Sequence, residues 1–163
     1  MQTSLTYGIL SFFFLVADTL LTRFFLIQGI VPNFLLVWIV YLAIREGQIT
    51  SMTAGFFLGI ATDLLSGGDG MLGLAAASNT VAGFVAGYFY NREKIEQTLG
   101  TSKFIVTLAI ASLVHNAIYF VIFLQGSEIG WWEMLFHTML PTTLYTTVVG
   151  LVPMFVFARR FVV

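Results

Sequence analysis

Apolar residues run through this chain in long blocks, separated by short polar or glycine-rich links. A hydrocarbon core about 30 Å thick takes roughly 20 apolar residues as helix, with about 17–25 tolerated. On that measure the pattern predicts six spans, at 5–21, 30–44, 49–65, 71–90, 104–124 and 134–158. The second and third are short, and the second could start as early as 26–31. Pro32 falls near the start of the second span, where a missing N–H costs nothing. Pro141 and Pro153 are expected to kink or bound the sixth. The first span does not read as a cleaved leader, because it lacks a basic start and a small-residue cleavage site, and Asp18 interrupts it.

Composition narrows the class. Of 163 residues 58% are hydrophobic and 9% charged, against about 25% charged in an average soluble domain. Seven basic and eight acidic side chains cannot cover a water-facing globule of this size. The net charge of −1 gives no polybasic surface for nucleic acid, and the absence of cysteine removes disulfide, iron–sulfur and thiolate chemistry. The remaining class is one all-α integral membrane domain, 1–163.

Orientation follows from the basic residues. With six spans, Arg45, Arg92, Lys94, Lys103, Arg159 and Arg160 share one side, leaving Arg23 alone on the other. Positive charge favours the inner face, so both termini are expected in the cytoplasm. Those six residues are then the candidates for cytoplasmic contact, anionic lipid among them. Trp131 and Trp132 fit an interfacial aromatic belt on the outer side.

Helices in lipid associate through close packing and buried polar groups. Ser51, Gly55, Gly59 and Asp63 recur every four residues in the third span, as do Ala75, Asn79, Gly83 and Gly87 in the fourth. A four-residue step keeps each set on one slowly turning face, so these two spans are expected to cross at short distance. Thr142, Thr146 and Gly150 offer the same step in the sixth.

Ionisable groups at membrane depth are costly and usually face the bundle interior. Asp18, Asp63 and Asn79 lie in the outer halves of their spans, and Arg23 and Asn33 lie between the first two spans. They could form one cluster below the outer surface, with Arg23 neutralising an aspartate and His115 deeper. The cluster could fix the packing, dock a partner or relay ions. A relay lacks a continuous path, since nothing acidic lies beyond His115.

Other motifs dissolve in context. Residues 68–73 spell G-x-G-x-x-G with Glu93 downstream, but a membrane helix precedes them and the next span carries Glu93 to the opposite side. Glu133 and His137 are four apart and read as a surface ion pair, since two groups do not make a metal site. No basic group stands where it could activate a serine or threonine. No catalytic residue, metal or cofactor is expected.

One block carries a resemblance. It runs from Pro32-Asn33 through Arg45-Glu46-Gly47, Gly55-Phe56-Phe57-Leu58-Gly59 and Asp63-Leu64 to Leu72-Gly73. Over about residues 31–90 the chain resembles MreD, the small membrane subunit of the bacterial rod-shape machinery. Asn33 departs from the acidic residue that follows the proline in many relatives. The resemblance implies a non-enzymatic scaffold in the bacterial inner membrane. It would bind MreC, a single-span protein with a large periplasmic domain. Through that contact it would join the MreB filament to the transpeptidase and glycosyltransferase of the lateral wall. The fold it implies is similar to the six-helix substrate-binding subunits of energy-coupling-factor vitamin transporters. That likeness leaves small-molecule uptake as the alternative function.

Overall fold

The computed structural model describes residues 2–21, 24–26, 30–65, 71–123 and 130–158. Its helices are α1 (Gln2–Leu21), α2 (Phe34–Glu46), α3 (Gln48–Leu65), α4 (Leu74–Gly87), α5 (Ile95–Leu99) and α6 (Ser102–Phe123). A last rod follows, made of α7 (Trp131–Met134), a π-helical turn (Leu135–Met139), α8 (Leu140–Val149) and α9 (Leu151–Ala158). By length and composition, 102–122 and 131–156 are long and apolar enough to cross a membrane, and 6–21 and 74–87 are shorter apolar helices.

α2 is the hub. Its sequence is apolar on every side, as expected of a helix enclosed on every side. Leu36, Ile39, Val40, Ala43 and Ile44 are fully buried. All but Ile39 pack in one cluster with Ala82 and Ala86 of α4 and with Phe104, Leu108 and Ala111 of α6. A second cluster joins Leu35, Trp38 and Leu42 to Leu15 of α1 and Leu58 of α3.

The ends of α2 depart from the predicted span of 30–44. The helix begins only at Phe34, because Asn33 takes an extended conformation and caps it with its own side chain. Pro32 therefore stands outside the helix rather than in its first turn. At 13 residues, α2 is about 20 Å long and cannot span a bilayer core alone. Helix ends at membrane depth need partners for their backbone groups, and neighbouring side chains supply them here. At its other end Gly47 adopts φ +92° and donates to the Ala43 carbonyl. That left-handed residue lets α3 begin one position later.

α4 is also shorter than its predicted span of 71–90. Gly73, at φ +94°, precedes its first turn, and residues 88–90 form turns. The polar link 91–103 holds a helix the pattern did not predict. α5 packs its buried Thr98 and Leu99 beside α6.

The last rod is broken where proline dictates. Pro141 has no N–H to give and its ring crowds the carbonyl four residues back, and the π turn lies one turn before it. Pro153 does the same to Val149, where α8 gives way to α9 at Gly150. The π turn also removes an expected contact. Glu133 and His137 make no ion pair, because a wider turn rotates residues four apart away from each other. Among the described residues the ion pairs are Arg45–Glu46 and Arg45–Glu96. Trp131 and Trp132 are 65% and 75% exposed at the start of this rod.

Candidate functional site: a polar cavity and a glycine seam

The polar residues of the sequence gather at the end of the bundle where α1, α3 and α6 finish and α2 and α4 begin. Asp18 sits one turn before the end of α1. Its Oδ1 accepts from the backbone N–H of Phe34 at 2.8 Å and of Leu35 at 3.2 Å. Asn33 Oδ1 accepts from Leu36 N at 2.7 Å. Two side chains thus satisfy three donors at the N-terminus of α2, where the helix dipole favours negative charge.

Asn33 has further work. Its backbone N–H donates to Thr146 Oγ1 at 3.1 Å, tying α2 to α8. Its amide Nδ2 lies 3.4 Å from His115 Nε2. Since Asn33 Oδ1 is occupied by the cap, the amide nitrogen must be the donor and Nε2 the acceptor. A neutral imidazole then carries its proton on Nδ1, which lies toward the Ser78 backbone without reaching good hydrogen-bond geometry. An aspartate at position 33 would cap equally well but could not donate to the histidine. Asn33→Asp is expected to cost about 1 kcal/mol of stability and Asn33→Ala more, as read from thermal melts of the purified protein.

These residues surround a cavity of about 310 Å³. Asp18, Asn33, Asn79 and His115 line it together with Tyr119 and Thr142. Asn79 and His115 are 2% and 6% exposed, and Asn79 Oδ1 has no hydrogen-bond partner among the described residues. His115 stacks on Tyr119 with centroids 6.0 Å apart. Behind the cavity, Asn116 Nδ2 donates to Thr143 Oγ1 at 2.8 Å and joins α6 to α8. The sequence pattern did not pair Asn116 with Thr143, placed Thr142 in a packing stripe rather than on this wall, and gave no sign of Thr62 and Thr138.

The predicted five-residue cluster is therefore divided. Asp18, Asn33 and Asn79 share the cavity, joined by His115. Asp63 does not line it. Its carboxylate turns to the N-terminus of α4 and accepts from Gly73 N at 2.9 Å, Ala75 N at 3.1 Å and Ala76 N at 3.4 Å. Arg23, the expected counter-ion, lies outside the described residues, as do Arg159, Arg160 and residues 68–70 of the glycine motif.

The α3–α4 seam is the closest approach in the bundle. A Cβ added at Gly55 would stand 2.7 Å from the Asn79 carbonyl oxygen, and one at Gly83 2.9 Å from that of Ser51. At Gly87 it would meet Gln48 Cα at 2.6 Å. At Gly59 it would meet the Ala75 carbonyl oxygen at 2.6 Å and the Ala76 backbone closer still. Ser51 Oγ bonds the Gly83 carbonyl at 3.0 Å, and Gln48 Nε2 bonds that of Phe84 at 2.9 Å. At the glycines the two backbones approach directly, and the Ser51 and Gln48 side chains bond across the line. Gly150 makes a similar approach in the last rod, where its Cβ would collide with Leu108 of α6.

At the opposite end, Arg45 is held within the fold. Its Nε donates to Tyr7 Oη at 2.9 Å and its Nη1 to Tyr41 Oη at 3.0 Å. Tyr7 in turn donates to Glu46 at 2.6 Å. Lys94 and Lys103 are exposed around a hollow of about 470 Å³ beside Tyr88 and Tyr90. Arg92 is exposed on the neighbouring surface with Glu93.

Among the described residues no group of three or more His, Asp or Glu could hold a metal ion. No curated protein and no solved structure matches the chain. A family model described as rod shape-determining protein MreD matches residues 1–162. With that match running essentially from end to end over a helical, apolar fold, the chain belongs to the MreD family of rod shape-determining membrane proteins.

Proposed function

We propose that this protein is a non-enzymatic scaffold of the bacterial cell-elongation machinery. In this reading it crosses the inner membrane six times with both ends in the cytoplasm. It binds the single membrane helix of MreC and through it links the MreB filament to the enzymes of lateral wall synthesis. Family membership supports the shape-determining role. The basic residues gathered around the Arg45 end support the orientation.

The observation that carries the docking is an apolar groove on the flank of the bundle. α2 forms its floor with Val37, Trp38 and Tyr41, and α1 and α9 form its walls. The hollow measures about 500 Å³. Phe14, Trp38 and Tyr41 line it as a stack of rings, at centroid distances of 4.9 and 5.2 Å. Val152 and Val156 on the opposite wall are 66% and 55% exposed. A single apolar helix laid here would contact three helices at once, and rigid aromatic rings give dispersion contact at little conformational cost.

A photo-crosslinking side chain at Val152 is expected to capture MreC in native membranes, and one at Val81 on α4 is not. Val152→Trp should weaken co-purification of MreC by about tenfold, equivalent to about 1.4 kcal/mol. Capture at Val81 with none at Val152 overturns the choice of face. Failure of MreC to co-purify with the unmodified protein overturns the reading itself.

A further inference from the structure

The polar cavity plays no part in that scaffold role, yet it is built as a recognition site. Membrane interiors favour dry, filled cores, and a buried polar group without a partner is costly. Here several polar groups are spent on the walls of a cavity of about 310 Å³. Some are fully used. Asp18 Oδ1 and Asn33 Oδ1 are committed to the start of α2, and His115 Nε2 to the Asn33 amide. Others are left over. Asp18 Oδ2 makes no hydrogen bond among the described residues. Asn79 Oδ1 has none either, on a side chain almost wholly enclosed.

Both leftover atoms are acceptors. Among the described residues the lining holds one carboxylate and no lysine or arginine. A second carboxylate, Asp63, is close by on α3 at the start of α4. Tyr119 and Phe120 line the same space, with one face of the Tyr119 ring taken by His115. Acceptors, a net negative wall and ring faces are complementary to a cation that carries N–H donors. Among the described residues an anion would meet Asp18 without a counter-charge.

We propose that this cavity binds a small organic cation of the ammonium or amidinium class, carried on an aromatic or otherwise flat body. Its N–H groups bond Asp18 Oδ2 and Asn79 Oδ1, and its body lies against Tyr119 and Phe120. Asp18 then has two roles, one oxygen holding the start of α2 and the other holding the ligand. Occupancy is thereby coupled to the placement of the central helix.

Three probes of nearly one shape isolate the charge: benzamidine, benzamide and benzoate. Each is titrated against the full chain in nanodiscs of uncharged lipid, with binding read by ligand-observed NMR. Benzamidine is expected to bind saturably, benzamide about tenfold more weakly and benzoate not at all. Asp18→Asn keeps an oxygen for Phe34 and Leu35 while removing the charge, and should bring benzamidine down to the level of benzamide. Asn79→Leu removes the second acceptor at similar volume and should weaken benzamidine about fivefold or more, which keeps the test decisive if Asp18→Asn does not fold. Equal affinity for all three probes overturns the proposal. So does benzamidine binding that neither substitution changes, and so does the absence of saturable binding, which would mean a cavity filled by water alone.

Discussion

Gly59→Leu is expected to abolish the folded bundle. Even a single Cβ there overlaps the Ala75 carbonyl and the Ala76 backbone. The obstruction is main chain, so no rotamer change relieves it. α3 must move bodily away from α4. Overpacking a core typically costs about 1–3 kcal/mol when side chains can shift, and here they cannot. The displacement also forfeits the approaches at Gly55, Gly83 and Gly87, together with the Ser51 and Gln48 hydrogen bonds. A loss above about 4 kcal/mol is the expected scale. The protein should be recovered aggregated, with no monodisperse peak on size exclusion in detergent. Gly8→Leu is the matched control, since nothing lies within 4 Å of a Cβ added at Gly8. It should elute as the unmodified protein does. A monodisperse Gly59→Leu protein with an unchanged melting temperature would remove the seam from the account.

The second large effect is expected at Asp63. Its carboxylate serves three backbone donors at the start of α4. Leucine leaves all three without that acceptor, at about 1–3 kcal/mol for each one that stays away from water. The Gly73 bond is exposed, so its share is the smallest. Asparagine keeps one acceptor oxygen and loses the charge that suits a helix N-terminus, worth about 0.3–1 kcal/mol. Asp63→Leu should therefore lower the melting temperature several times as much as Asp63→Asn. Equal losses would mean that the negative charge, rather than hydrogen bonding, is what α4 requires.

The seam was legible because its chemistry repeats. Small residues every four positions on two consecutive spans favour adjacent faces over chance, and the collisions at Gly55, Gly59, Gly83 and Gly87 fall on those residues. The cavity was half legible. Asp18, Asn33, Asn79 and His115 stand out as rare polar groups in apolar surroundings. Thr138 does not, because threonine is common in this chain, and Thr142 stands out only as part of a packing stripe, since which threonines face inward depends on the π turn before Pro141. Asp63 was misplaced for a different reason. Depth along a span can be counted, but the direction of a carboxylate depends on which helix end lies nearest. α5 went unseen because five residues among charged neighbours carry no period, only Ile95 and Leu99 four apart.

The direct backbone contact between α3 and α4 has a mechanical consequence. Two helices separated by side chains can slide, since side chains hop between rotamers as the axes shift. Two helices meeting main chain to main chain have no such lubricant, so α3 and α4 form a stiff plate with α2 bedded against it. Compliance is left to α1 and to the rod segmented at Pro141 and Gly150, which flank the apolar groove.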